Sequence, residues 1–288
     1  MLGTRLVREL TGRGDEVTIL TRDPAKVRHG KAVAWDPMAG PAPAEALEGR
    51  DAVVHLAGEN VAQRWSADAK RRIRESREIG TRNLVHGLRA AEDRPKALIS
   101  SSAVGYYGPH GDEELPEDTP PGDDFLAQVC IVWEREAAKA AEELGVRVVL
   151  VRTGVVLDKD GGALGKMLPF FKAGIGGPVA GGRQLLPWIH ADDVVGIYLR
   201  ALDDAHWSGP VNATAPKPVS NREFSEALGR ALHRPAVAPV PAFAIKTLYG
   251  EMAEIVTKGQ NAIPKRTSKL GYEFRHPQLE EALRTALN

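Results

Sequence analysis

The chain has 288 residues, 43% of them hydrophobic and 26% charged, the make-up of a globular protein long enough to bury a core. Lysine plus arginine and aspartate plus glutamate both number 38, so the zero formal charge argues against a charge-driven binder of nucleic acid or membrane surfaces. The single cysteine, Cys130, excludes an intramolecular disulfide framework; no Cys/His spacing suggests a metal, and no spanning run or secretory leader is seen, so a reducing, cytoplasmic setting is expected.

Residues 2–11 carry Leu2, Leu6, Val7 and Leu10 at helical spacing, closed by Gly12 and Gly14, and predict a helix. Residues 16–21 (EVTILT), 31–35 (KAVAW) and 51–56 (DAVVHL) read as short strands. A long helix is expected over 66–91 with Ser66 as N-cap, then a strand over 97–101, a helix over 124–144 and a buried strand within 146–157. This alternation predicts an α/β protein with a parallel sheet between helices, binding ligands beyond the carboxyl ends of its strands. Residues 161–182 hold eight glycines with Pro169 and Pro178, and read as a flexible cover with one helical turn. Helix returns over 192–202, with Asp192 as N-cap, and over 220–232 behind a Ser220/Glu223 capping box. The organisation is thus a first domain over 1–163, completed by 188–214, and a small, mostly helical lobe over 164–187 and 215–288.

Three segments, in order and spacing, resemble the extended short-chain dehydrogenase/reductase superfamily. They are His55-Leu56-Ala57-Gly58, then Ser100-Ser101-Ser102-Ala103 followed by Tyr107-Gly108, and then Trp188-Ile189-His190-Ala191-Asp192-Asp193. More narrowly, LAGENV (56–61), SSAVGYYG (101–108), DFLAQVCIVWEREA (124–137), VRTGVVL (151–157), LPWIHADDV (186–194) and GYEF (271–274) are similar to its atypical nucleoside-diphosphate-sugar epimerase-like family. The resemblance spans nearly the whole chain. It implies a Rossmann-type doubly wound parallel sheet and a nicotinamide dinucleotide, and leaves the reaction open.

Such a sheet opens with a central strand and a glycine-rich turn that holds the pyrophosphate at the next helix. Here the chain begins inside that helix. Gly3 fits the last glycine of a G-x-x-G-x-x-G turn, and Met1 and Leu2 fit the two residues before it. About ten residues are expected to be missing, through a misassigned start or a truncation; the alternative is a genuinely shortened fold.

At the end of the second strand of the complete fold, an acidic side chain favours NAD and a basic one favours the 2′-phosphate of NADP. Thr21-Arg22 stand there, with Lys26 a turn later, so NADP(H) is expected over NAD(H); Asp23 argues the other way. Trp35-Asp36 and Leu56-Ala57-Gly58 follow adjacent strands and would line the adenine and ribose, or pack there. Glu59 and Asn60 are further polar contacts, Ser101 is a further cofactor contact, and Arg152-Thr153-Gly154 end the next strand within reach of the nicotinamide end or the substrate.

The resemblance implies a Tyr and a Lys four residues apart, with a Ser after the preceding strand. Ser102 takes the Ser position, but Leu126 and Cys130 stand where the Tyr and Lys should be. Cys130 is a catalytic candidate that also reads as a core thiol in the stripe Leu126, Cys130, Trp133, Ala137. Arg77 interrupts the apolar face of Ile73, Thr81, Leu84 and Leu88, where the resemblance places an Asn. It faces the cofactor or an anionic substrate, or else makes a structural ion pair. Tyr106 is preferred to Tyr107 as proton donor, because Tyr107 packs under the turn. His190 reads as structural, and Lys166 and Arg183 as substrate contacts or solvated cations.

The leading function is an NADP(H)-dependent oxidoreductase on a small carbonyl or alcohol, with Ser102 binding the substrate oxygen and Arg77 stabilising charge. On that reading Ser102→Ala and Arg77→Ala abolish turnover and spare cofactor affinity. The alternative is a catalytically silent nucleotide-binding sensor or partner-binding protein. A small-molecule substrate is expected, with no nucleic acid or membrane partner, in a monomer or homodimer.

Overall fold

The computed structural model describes residues 2–236 and 238–288. Met1, expected beside a turn glycine, lies outside them. The first part runs α1 (Leu2–Gly12), β1 (Thr18–Thr21), β2 (Lys31–Ala34), α2 (Ala44–Leu47), β3 (Ala52–His55), α3 (Ala67–Ala90), β4 (Ala97–Ala103), β5 (Glu114–Leu115), α4 (Phe125–Leu144), β6 (Arg147–Thr153) and β7 (Val155–Leu157). It continues as α5 (Gly162–Lys172), β8 (Leu185–Leu186), β9 (Trp188–His190), α6 (Ala191–Asp203), β10 (Gly209–Ala213), β11 (Val219–Ser220) and α7 (Asn221–Leu232). The carboxyl-terminal part adds α8 (Ala242–Tyr249), α9 (Ala253–Thr257), β12 (Asn261–Ala262), α10 (Lys265–Lys269) and α11 (Leu279–Leu287).

The central sheet is parallel, four-stranded and ordered β10-β6-β4-β3. Strand side chains alternate between its faces, so both must be covered. Leu98, Val148 and Leu150 pack with Leu84, Val85 and Leu88 of α3 and Ala137 and Ala140 of α4. Ile99, Val149 and Val151 pack on the other side with Leu6 of α1 and Val194, Ile197 and Tyr198 of α6. α3 starts at the expected cap, Ser66 accepting the Ala69 N–H, and α4 starts behind Asp124, which accepts the Ala127 N–H.

β1 and β2 form a separate parallel pair. Among the described residues β1 pairs only with β2, and β3 only with β4, so each has one open edge. Between them lies a cleft of about 1510 Å³, lined by Leu6 and Leu10 of α1, Ile19 of β1 and Val54 of β3.

A further apolar cluster joins α5, α7 and α11 through Leu164, Leu168, Phe171, Phe224, Leu228 and Leu283. It corrects the expected flexible cover: residues 161–182 contain the 11-residue helix α5, whose apolar stripe is anchored in that cluster. Ser220 and Glu223 make the expected capping box on α7. The cap of α6 is also corrected. His190, not Asp192, is the N-cap, its Nδ1 accepting the Asp192 N–H at 3.1 Å. Asp192 is the second residue of α6 and accepts from Arg5 Nη1 at 3.1 Å. Buried Asp193 accepts the N–H groups of Arg275 (2.7 Å) and His276 (3.0 Å), fastening the carboxyl-terminal tail to α6.

Candidate functional site

The carboxyl ends of β1, β3, β4 and β6 gather most of the expected site residues. At β1, Thr21 Oγ1 accepts the Asp23 N–H at 3.2 Å and helps shape the turn. Asp23 pairs with Lys26 at 2.9 Å, which neutralises the one acidic group there. Arg22 is exposed and makes no ion pair among the described residues. At β3, Gly3 of α1 faces Leu56, a Cβ on that glycine standing 3.5 Å from Leu56 Cδ1. Ala57 follows half-buried, and the Gly58 backbone is exposed.

Of the two roles expected for them, Trp35 takes packing, and Asp36 shapes its own loop. Trp35 is 8% exposed and packs with Leu84 and Leu88, its Nε1 donating to Gly40 O. Asp36 Oδ1 accepts the Met38 N–H. Asn60 likewise caps its own loop through the Ala62 N–H.

The largest correction concerns the strand ends of β4 and β6. Arg152 is 3% exposed, and its donors are spent inside the protein. Nε and Nη2 reach Glu134 at 2.9 and 2.8 Å, and Nη1 reaches Tyr107 Oη at 3.1 Å and Glu117 O at 3.0 Å. Burial opposes that charge, but Glu134 outweighs it and holds the guanidinium protonated. Arg152 is thus a structural cation rather than a nicotinamide contact. Ser102 donates Oγ–H to the same carboxylate at 2.6 Å and is itself 3% exposed. Tyr107 is fully buried and donates to Asn212 Oδ1 at 2.7 Å, and burial pushes its phenol up to about 12.

Ser101 shares a 2.6 Å hydrogen bond with Tyr198 and so faces α6. Thr153 Oγ1 donates to Val151 O. A Cβ on Gly154 would stand 2.3 Å from Pro187 O, so that glycine permits a chain crossing rather than a cofactor's approach. The residues missed in the sequence are Glu134, Glu117 and Asn212. One signal was present: a glutamate beside the apolar stripe of α4 and an arginine inside a buried strand, two charges each needing a partner.

Arg77 is half-buried, with its Cζ 4.8 Å from the Trp133 ring centre. Cys130 is buried, and burial pushes its thiol up to about 12, so it is no thiolate at neutral pH. Tyr106 is half-buried, its ring centre 3.4 Å from Arg152 Cζ, and its hydroxyl has no protein partner among the described residues. Lys166 donates to Ala62 O, tying α5 to the loop after β3, while Arg183 is exposed. His190, Asp192 and His276 offer ligand atoms within 4.8 Å of one another. The His190 lone pair, however, serves the α6 cap, Asp192 serves Arg5, and the helix N-terminus opposes a cation.

His55, 3% exposed, shares a 3.0 Å hydrogen bond with Thr81. Burial, assisted by the Arg77 charge, lowers its pKa to about 4. The folded state holds the neutral ring. Its contribution is therefore complete above the ordinary value of 6.5 and is lost as pH falls from there through 4. Urea melts should show roughly 3 kcal/mol lost across that window. The same loss in His55→Gln would remove His55 as the cause.

The NAD dependent epimerase/dehydratase family model matches residues 1–212. The chain belongs to that family. A second model, a domain of unknown function (DUF1731), matches residues 240–286. The chloroplastic SDR39U1 homologue of Arabidopsis thaliana is 41% identical over 300 residues, covering 99% of this chain and 84% of that protein. Human epimerase family protein SDR39U1 is 38% identical over 288 residues, covering 98% and 95%. The crystal structure of that human protein (isoform2) with NADPH superposes with a TM-score of 0.89 at 37% identity, covering 100% of this chain and 96% of its own. A nucleoside-diphosphate sugar epimerase from Corynebacterium glutamicum has a TM-score of 0.79 at 36% identity, covering 100% of this chain and 56% of its own. Among the described residues no helix of this family member is long and apolar enough to cross a membrane.

Proposed function

We propose that this epimerase-family chain binds NADP(H) at the carboxyl ends of β1 and β3 and acts as an oxidoreductase on a small carbonyl or alcohol. The observation that carries this reading is the pair of charges after β1. Lys26 occupies the Asp23 carboxylate at 2.9 Å and leaves Arg22 free for a 2′-phosphate. The NADPH in the human SDR39U1 structure supports it. The exposed Gly58 backbone is suited to the cofactor's central part. A bound nicotinamide supplies the hydride chemistry.

On the protein side, Ser102 has committed its proton to Glu134, so toward a substrate it acts as an acceptor of a hydroxyl. Tyr106, with its unspent hydroxyl, is the proton donor we assign. A second reading, a silent nucleotide-binding sensor, is favoured by Leu126 and Cys130, an apolar side chain and a protonated thiol in place of a Tyr-Lys pair. Turnover with a carbonyl library separates the two.

Calorimetry tests the cofactor. NADPH should bind about 10-fold or more tighter than NADH, and Arg22→Glu should remove that preference. Equal affinities in the unaltered chain would sink the NADP(H) assignment.

A further inference from the structure

Seven cations lie on α3, and six of them meet carboxylates. Lys70 meets Glu251, Arg71 and Arg72 meet Asp68, Arg74 and Arg82 meet Glu78, and Arg89 meets Glu143. Arg77 is the seventh, and among the described residues no carboxylate pairs with it. The acid beside it, Glu59, is turned to Gln63 at 3.0 Å and Arg72 at 3.7 Å. Burial lowers the Arg77 pKa, which marks the cost of holding this cation without a counter-ion.

The guanidinium is nevertheless held in one place. Nη1 donates to Glu59 O and Ile73 O, both at 3.1 Å, and one face lies on Trp133. Ser76 Oγ accepts the Glu59 N–H at 2.9 Å and pins the loop after β3 to α3. Any side chain at position 58 would press on the group, since a Cβ there stands 3.1 Å from Arg77 Cζ. The remaining donors on Nε and Nη2 have no protein partner among the described residues. Fixed, desolvated donors of this kind suit an oxyanion.

We propose that Arg77 is the ligand of an oxyanion at the carboxyl end of β3, and that this oxyanion is the pyrophosphate of the dinucleotide rather than a charged group of the substrate. The assignment rests on the cofactor reading above. Its reason is position. Gly58 lies two residues after Leu56, which Gly3 in the first turn of α1 faces, so the start of that helix, where anions are favoured, stands at the same strand end. Arg77 then supplies charge from one side and the helix start from the other.

The test is titration of the full chain and R77A with NADPH and with adenosine 2′-monophosphate, which shares the 2′-phosphate and lacks the pyrophosphate. In place of the expectation that Arg77→Ala spares the cofactor, R77A should weaken NADPH by about 10- to 100-fold, the factor of a charge-assisted hydrogen bond, and adenosine 2′-monophosphate by less than about twofold. NADPH affinity within about twofold of the unaltered chain overturns the proposal, and lost turnover with that result moves the anion to the substrate. Equal weakening of both ligands also overturns it, since the change is then a general loss of structure. If the unaltered chain does not bind NADPH, the cofactor reading fails separately. Thermal protection by inorganic pyrophosphate then decides the subsite: protection lost in R77A supports it, and protection equal in both proteins overturns it.

Discussion

Replacing Glu134 by alanine should lower the folding stability by about 3–5 kcal/mol, the cost of leaving a buried cation without its partner. Arg152 would lose both bonds from Nε and Nη2, and Ser102 the acceptor of its 2.6 Å hydrogen bond. The neutral double replacement Glu134→Met with Arg152→Met should recover much of the loss, because neither charge is then stranded. Glu134→Gln separates position from charge: it keeps an acceptor for Ser102 while weakening the tie to Arg152. Denaturant melts of the four proteins measure this. A single alanine variant within about 1 kcal/mol of the unaltered chain would show that the pair is accessible to water and not the buried brace described here.

Placing an apolar strand and a glycine-rich turn ahead of Leu2 should raise NADPH affinity by roughly 100-fold or more. Two further backbone N–H donors to a charged pyrophosphate, each worth about 1.5–3 kcal/mol, account for that factor. The same addition should raise Tm, because the strand would pair the open edges of β1 and β3 and fill the 1510 Å³ cleft with apolar side chains. Calorimetry and thermal melts of the two forms check both effects. Unchanged affinity with a raised Tm would keep the cleft as a strand site and remove the turn from cofactor binding. Neither effect would mean that the open edges are satisfied by solvent.

Much of the architecture was legible in local pattern. The strand at 51–56 and the helices at 66–91 and 124–144 rest on runs of apolar residues and on capping side chains, which act within a few residues of one another. Ser220 and Glu223 are three residues apart and found each other as expected. Arg22 and its paired neighbour Asp23 are likewise local, because Lys26 is one short turn away.

The failures have a common cause. Arg152, Ser102 and Glu134 come from three elements, 18 and 32 residues apart in pairs, and only the packing of α4 on the sheet brings the charges together. From the chain alone, an arginine at a strand end looks equally suited to a ligand and to a buried carboxylate. The packing of Trp35 and the close crossing at Gly154 are set in the same way, since their neighbours, α3 and Pro187, arrive from far along the chain. The sequence by itself determined the order of the main strands and helices as far as β6, the caps of α3 and α7, and the absence of a Tyr-Lys pair, because each depends on residues a few positions apart; the cap of α6 and the helix α5 did not follow from it. Only the tertiary structure decided which polar groups are spent and which remain free. A hydrogen bond or ion pair is satisfied by proximity in space, and that is why Arg152 is consumed while Arg77 is left with donors to offer.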